Sequence, residues 1–362
     1  MKITVKKTDL FAILSKALSV TENKATMPIL ASVLLDAQGD TVSVSAYDLE
    51  VAYVGLVGAT VEKPGKVAVS AKALGDVVRS LPEDTIILHL EKNRLVVTSG
   101  AAEFKLATSR IEDFPALPTS VEGVAVKVDG LAFAKLLGKV AYAQSTDETR
   151  YSLNGTLLEG MMSTLLVTAT DGHRLAHSSL ASHEPRDFGG VIISRKTTGL
   201  LRRVLVEGEA HVEVSENSVS VTQGHEVIVA RLIDGHFPDY QGIYPKVEHK
   251  STVDVKELLS SLGRLKLVNE ANTWTVRGGA VRFKATNPDL GEVEDWIHHG
   301  GDATDSTFGL NGGYVREALS VVEGGTVAAY FPPDETTPLV LRYPSMTEGL
   351  EDYAIIMPMR VK

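Results

Sequence analysis

The chain has 362 residues, of which 44% are hydrophobic and 23% charged; its formal net charge is −10 and it has no cysteine. That length allows two or three domains with real cores, and the lack of cysteine excludes disulfides and thiolate metal sites. No run of 18 apolar residues occurs and the opening MKITVKKTDLF lacks a signal peptide's apolar stretch, so no membrane partner is predicted and the expected location is cytoplasmic.

From the N-terminus, ITVKKTDLFAIL carries Ile3, Val5, Leu10 and Leu14. Alternation gives way to a spacing of four, which predicts a short strand feeding a helix over 8–19. TVSVSAYDLEVAYV reads as strand, and KVAVSAKALGDVVRSL as a second strand and helix (72–80). TIILHLE, RLVVTSG and EFKLATS read as further strands, with a turn at Lys92-Asn93. The order returns in VKVDGLAFAKLL (Val126, Val128, Phe133, Leu137; helix 130–142) and VIISRKTTGLLRRVL (helix 195–205). HVEVSE, SVSVTQG and VIVARLI follow, with a turn at Glu216-Asn217. It returns again in TVDVKELLSSL (Val253, Leu258, Leu262; helix 256–267), with a sixth helix expected at 313–322.

Other landmarks keep the register. Phe114-Pro115, Phe237-Pro238 and Met357-Pro358 close the segments at offsets of 123 and 120. Ala46-Tyr47-Asp48, Ala169-Thr170-Asp171 and Ala285-Thr286-Asn287 correspond midway, at 123 and 116. The expected fold is α+β: three repeated domains at 1–120, 121–248 and 249–362. Each should pack two helices on antiparallel sheets of roughly eight strands.

A net acidic chain does not resemble a nucleic-acid binder, so any such role rests on where the charge lies. The six helical windows hold 13 Lys and Arg against 4 acids, a balance of +9 that leaves −19 elsewhere. Solvated helix faces are the plain explanation. With a triplicated fold, six such helices side by side would form a continuous basic face, which suits a polyanion. No aromatic ladder points to single strands, and no helix-turn-helix or zinc-finger spacing points to base reading. Helices are ~10 Å across, so six in a closed ring leave a hole of roughly 9 Å and twelve about 28 Å. Duplex DNA, ~20 Å wide, passes only the second, so one chain would supply half a ring.

Catalysis is the rival class, as a hydrolase or other enzyme on the repeated scaffold. Asp171, His173 and Arg174 could hold a metal or a general base. No second ligand motif supports them, His298-His299 reads as an exposed loop pair, and Asp171-Gly172 reads better as a tight turn with Arg174 shaping a pocket. Neither GxSxG nor a Walker loop occurs. No metal, cofactor or catalytic residue is therefore expected. The terminal IIMPM reads either as a buried edge strand or as a groove beside Thr170–Leu175.

MPILASVLL, TRYSLNGTLLE, TATDGHRLA, DGHFPDY and YAIIMPMR together resemble the bacterial DNA sliding clamps, the beta subunits of DNA polymerase III, over the whole chain. The resemblance implies a non-catalytic, head-to-tail homodimer of six domains. Helices line a hole around duplex DNA, an ATP-driven clamp loader places the ring, and polymerase and other replication and repair proteins dock by short linear motifs. It implies a partner pocket between the second and third domains at Leu153, Thr170, Gly172, His173, Arg174, Leu175, Pro238 and Ile243, with Ile355, Ile356, Met357, Pro358, Met359 and Arg360. A groove rich in Leu, Ile, Pro and Met suits such motifs. It implies DNA contacts at Lys24, Arg150, Tyr151, Arg195 and Lys196. At the dimer seam Phe104 would pack on Leu267 and Val268, and Lys72 and Arg94 would face Glu292, Glu294 and Asp295. Gly242, Asp147, Ser152 and Lys362 depart from the family pattern.

Overall fold

The computed structural model describes residues 1–21, 27–118, 121–182, 187–246, 248–346 and 350–360. All six helices form: α1 Lys7–Ala17, α2 Ala71–Ser80, α3 Gly130–Val140, α4 Arg195–Val204, α5 Val255–Leu265 and α6 Gly312–Leu319. Each follows directly on a strand (Lys2–Lys6, Gly65–Ser70, Val124–Asp129, Phe188–Ser194, Ser251–Asp254 and Ser306–Asn311). The hand-off needs no loop because the last strand residue caps the helix. Ser70, Asp129, Ser194, Asp254 and Asn311 each accept a backbone N–H from the first turn, at 3.3, 2.8, 3.2, 2.9 and 2.9 Å. Only Lys6 offers no side-chain cap. The sixth helix stops three residues short of its window: Ser320 N–H turns to the carbonyls of Arg316 and Glu317, and Gly324 and Gly325 follow with positive φ. Among the described residues eight strands fall within 1–120, eight within 121–248 and nine within 249–362, one of these only Gly300–Gly301. Among the described residues no helix is long and apolar enough to cross a membrane.

The chain divides into two compact units, Met1–Ala134 with Gly199–Leu232, and Lys135–Thr198 with Ile233–Lys362. The middle segment is shared because its strands extend two different sheets. In the first unit Glu226–Ile233 pairs antiparallel with Val51–Lys63, from Ala230↔Val51 to Glu226↔Gly55. This joins Val124–Asp129, Glu209–Val214 and Ser218–Gln223 to Thr41–Tyr47, Ser32–Gln38 and Gly65–Ser70. In the second unit Arg174–Ala181 pairs with Glu351–Ile356, from Arg174↔Ile356 to His177↔Tyr353. This joins Gly155–Met161, Thr164–Thr170 and Phe188–Ser194 to Leu339–Pro344, Thr326–Tyr330 and Ser251–Asp254.

Each unit carries a further sheet. In the first it runs Val51–Lys63, Lys2–Lys6, Thr85–Glu91, Arg94–Ser99 and Ala102–Ser109. In the second it is Gly291–His298, Ala280–Asn287, Ala271–Arg277 and Ser306–Asn311. The third segment's core centres on Trp274, Phe283 and Phe308, each 1% exposed, with Phe283 edge-on to Trp274 at 4.7 Å.

Candidate functional site

Between the strands Thr164–Thr170 and Arg174–Ala181 the chain reverses on Asp171-Gly172-His173. Asp171 Oδ1 accepts the N–H groups of His173 and Arg174 at 2.9 and 3.0 Å. Gly172 takes φ +86, and its N–H reaches Thr170 Oγ1 at 3.1 Å. The expected tight turn is present. Both Asp171 oxygens are engaged, since Oδ2 accepts Arg174 Nε at 3.0 Å. That leaves poor ligand geometry for a metal or a catalytic dyad with His173, whose ring stacks on Tyr314 at 6.4 Å.

Arg174 is pinned rather than extended. Its side chain, 11% exposed, also pairs with Glu317 and donates to the Tyr142 carbonyl at 2.7 Å. The guanidinium lies 4.4 Å from the Tyr314 ring and 5.4 Å from that of Tyr142. Burial pushes the Tyr142 phenol up, so it stays protonated. Arg174 thus ties the turn to α6, which supplies Tyr314 and Glu317.

The terminal segment runs alongside. Leu175 pairs with Ile355 and Arg174 with Ile356, and Met357 N–H donates to the His173 carbonyl at 2.9 Å. Met359 N–H then reaches the Gly309 carbonyl at 2.9 Å. The expected pocket residues divide into floor and rim. Leu153, Thr170, Leu175, Ile355 and Ile356 are buried. Leu175 and Ile355 share a cluster with Leu157, Ile192, Tyr240 and Val340, on which Phe237, Tyr244 and Tyr353 pack. Met357, Met359 and Ile243 stay 37–42% exposed. Gly172, His173, Pro238 and Arg360 are exposed too, and Pro358 is half-buried. Of the two readings of IIMPM, the strand is buried but is not an edge, since it pairs with Arg174–Ala181 on one side and Leu339–Pro344 on the other, while the two methionines lie beyond it at the surface.

Sequence reading missed His177, two residues beyond Leu175 on the same strand face. It lies between Tyr353 and Tyr240, with ring centroids at 4.8 and 5.6 Å, and its Nδ1 is 2.9 Å from Thr168 Oγ1. Burial lowers its pKa to about 4, so it is neutral. Tyr240 donates to Glu159 at 2.8 Å, and burial raises its own phenol. The i+2 position on a strand with one buried face was the available signal.

Of the expected DNA contacts, Lys24 lies outside the described residues. Arg150 pairs with Asp147 at 3.1 Å and donates to the Asp171 carbonyl at 2.8 Å, which braces the same turn from behind. Tyr151 is 58% exposed, and its ring covers Gly235, where a Cβ would come within 2.9 Å of it. Arg195 is exposed and Lys196 half-buried at the start of α4. The helices again hold 13 cations and 4 acids within their observed bounds, but several of the cations are engaged locally. Lys16 pairs with Glu226, Lys139 with Asp352 at 2.6 Å, Arg264 with Asp295 at 2.7 Å and Arg316 with Glu270 at 2.8 Å, while Lys7 donates to the Leu81 carbonyl. Lys72, Arg79, Lys135, Arg195, Arg202, Arg203 and Lys256 are exposed.

The expected seam residues fall on strand edges and nearby turns. Ala102–Ala107 is paired on one side only, as is Gly291–His298. Phe104, 37% exposed, stands on the first edge, and Leu267, 76% exposed, follows α5 with half-buried Val268. Arg94 leaves the hairpin whose turn residue Lys92 has φ +51, and Lys72 is on the first turn of α2. Glu292 and Glu294 both bridge Lys284, at 3.0 and 3.2 Å. Asp295 corrects the expectation: strand alternation turns it toward α5, where Arg264 and Ser261 hold it. Trp296, unanticipated, is 55% exposed on that edge. His298-His299 is not an exposed loop pair either. His298 ends the strand, and the ring nitrogens of His299 are buried beside Phe331.

Residues 1–118 match the family described as DNA polymerase III beta subunit, N-terminal domain, and residues 127–239 match its central domain. The chain is 30% identical to the beta sliding clamp of Pseudomonas aeruginosa and 29% to that of Salmonella typhimurium, each alignment covering 100% of both chains. Among solved structures it resembles the DNA polymerase III beta subunit of Thermotoga maritima (TM-score 0.93, 26% identity) and a Pseudomonas aeruginosa clamp bound to griselimycin (TM-score 0.92, 28% identity), again over 100% of both chains. End-to-end similarity at this level, through all three repeats, means that the chain belongs to the bacterial beta sliding clamp family.

Proposed function

We propose that two copies of this chain close head to tail into a six-domain ring around duplex DNA, with domains at 1–120, 121–248 and 249–362. The ring tethers DNA polymerase III and other replication and repair proteins in the cytoplasm, after an ATP-driven loader has opened it. The observation that carries this reading is the match to beta sliding clamps along the entire chain. Local geometry supports the finer parts. Two strand edges, Ala102–Ala107 and Gly291–His298, are each open on one side, as a heterologous closing interface requires. Phe104, Leu267 and Trp296 supply exposed apolar surface there. The rim of Met357, Met359, Ile243 and Pro238 over a rigid floor suits a short partner motif. The exposed helix cations give sequence-independent attraction to phosphates. The chain acts as a platform without catalysis.

Retention on DNA tests this. Protein loaded by its clamp loader onto nicked circular plasmid should co-elute with the plasmid and be released when the plasmid is linearised. Equal retention on both forms, or none on the circle, overturns the ring.

A further inference from the structure

The turn and strand pairing that build the groove around Thr170–Leu175 occur a second time, within the first unit. Asp48 Oδ1 accepts the N–H groups of Glu50 and Val51 at 2.9 and 2.6 Å, as Asp171 does for His173 and Arg174. Leu49 takes φ +78 where Gly172 takes +86. Val51 pairs with Ala230 and Ala52 with Val229, as Arg174 and Leu175 pair with Ile356 and Ile355. Arg231 N–H donates to the Glu50 carbonyl at 2.9 Å, the same bond that Met357 makes to His173. Val121 and Leu117 pack on Ala52 and Val229, as Tyr244 and Tyr240 do on Leu175 and Ile355. Between these elements is a groove of about 490 Å³, within the range that takes a small ligand or two to three peptide residues.

Its chemistry differs from that of the other groove. The apolar lining comes from Pro118, Val121, Val229, Ala230 and Leu232 with the ring of Tyr47. Charges of opposite sign, Glu50 and Arg231, line the groove. Both are exposed, and neither side chain takes an ion pair among the described residues. The strand Glu226–Ile233 is paired on both sides, so no edge is free for strand addition. Recognition has to run through side chains.

We propose that this groove is a second peptide-docking site, for a short segment with one medium aliphatic side chain flanked by an acidic and a basic residue. The aliphatic group packs onto the groove floor formed by Tyr47, Val121 and Val229. The carboxylate pairs with Arg231 and the cation with Glu50. This second site rests on the proposed pocket at Thr170–Leu175, of which it is the structural counterpart, but its ligand chemistry is its own.

The test uses full-length protein with methyl-labelled Ala, Val, Ile and Met, titrated with the blocked tripeptide Ac-Lys-Ile-Asp-NH2. Saturable shifts are expected at Val121, Val229 and Ala230. R231E, at an exposed position, should weaken this peptide by about fivefold or more and strengthen Ac-Lys-Ile-Lys-NH2. Absence of saturable shifts at those methyls overturns the site. So do shifts that R231E leaves unchanged, or equal binding of Ac-Lys-Gly-Asp-NH2. Shifts confined to Ile355 and Met357 would overturn this site while leaving the other pocket standing.

Discussion

At the scale of the residue, two side chains on one strand set the character of the candidate pocket. His177 is neutral in the fold, with its pKa lowered from 6.5 to about 4. Above pH 6.5 neither folded nor unfolded chain is protonated there, and the group has no effect. Between pH 6.5 and 4 the unfolded chain takes the proton and the folded chain does not, so stability falls as pH falls. His177→Phe, which keeps the stacking between Tyr240 and Tyr353, should gain about 2–3 kcal/mol on the native protein when both move from pH 7 to 4.5. Urea titrations at the two pH values measure this, and an unchanged difference would exclude His177 as the source. Arg174→Lys keeps the charge but not the fork that holds Asp171, Glu317 and the Tyr142 carbonyl. It should cost about 1–3 kcal/mol and weaken a docked partner peptide at least tenfold, as read by melting and by fluorescence anisotropy. Thr170–Leu175 and the terminal MPMR were legible as a candidate site from their motifs. Tyr142, Tyr314 and Glu317 were not, because they are 32 to 143 positions away from Arg174 in sequence and only folding selects them.

At the scale of the element, the six helices were readable because alternation gives way locally to a spacing of four; the capping Ser, Asp or Asn found at five of the six starts is a further local signal. Asp254→Ala should cost about 1 kcal/mol by leaving the Glu257 N–H unpaired, and Lys6→Ser, which supplies the one missing cap, should add about 0.5–1 kcal/mol. Both are measurable by chemical denaturation, and no gain from Lys6→Ser would mean that its strand pairing with Thr85 matters more than the cap. Strand count was readable as well, but which strands extend one another was not. Period-two alternation marks a face and is silent about the neighbour on either edge. Charge is silent in the same way: composition sets the balance on the helices, whereas only the fold brings Lys16 to Glu226 and Lys139 to Asp352.

At the scale of the whole molecule, the proposed assembly rests on edges. Phe104→Glu places a charge on the open edge Ala102–Ala107, at a site 37% exposed in the free chain. The variant should fold normally and shift the dimer toward monomer by at least tenfold. Sedimentation velocity at micromolar concentration reads this, and an unshifted dimer would move the seam elsewhere. If the ring is held topologically, retention on circular DNA should survive salt that strips ordinary phosphate-bound proteins, since seven exposed helix cations are only weakly attractive once screened.

The pairing of Glu226–Ile233 with Val51–Lys63 has one more consequence. The sequence repeats, but the repeat is not a portable module. A piece cut at residue 120 would lose the partner of Val51–Gly55 and bare that strand to solvent, a sticky margin that invites fibrous or swapped aggregates. Because Glu226–Ile233 covers Val51–Gly55, a cut between the repeats separates hydrogen-bonded strands, and a truncated form has to carry both segments to keep that sheet whole.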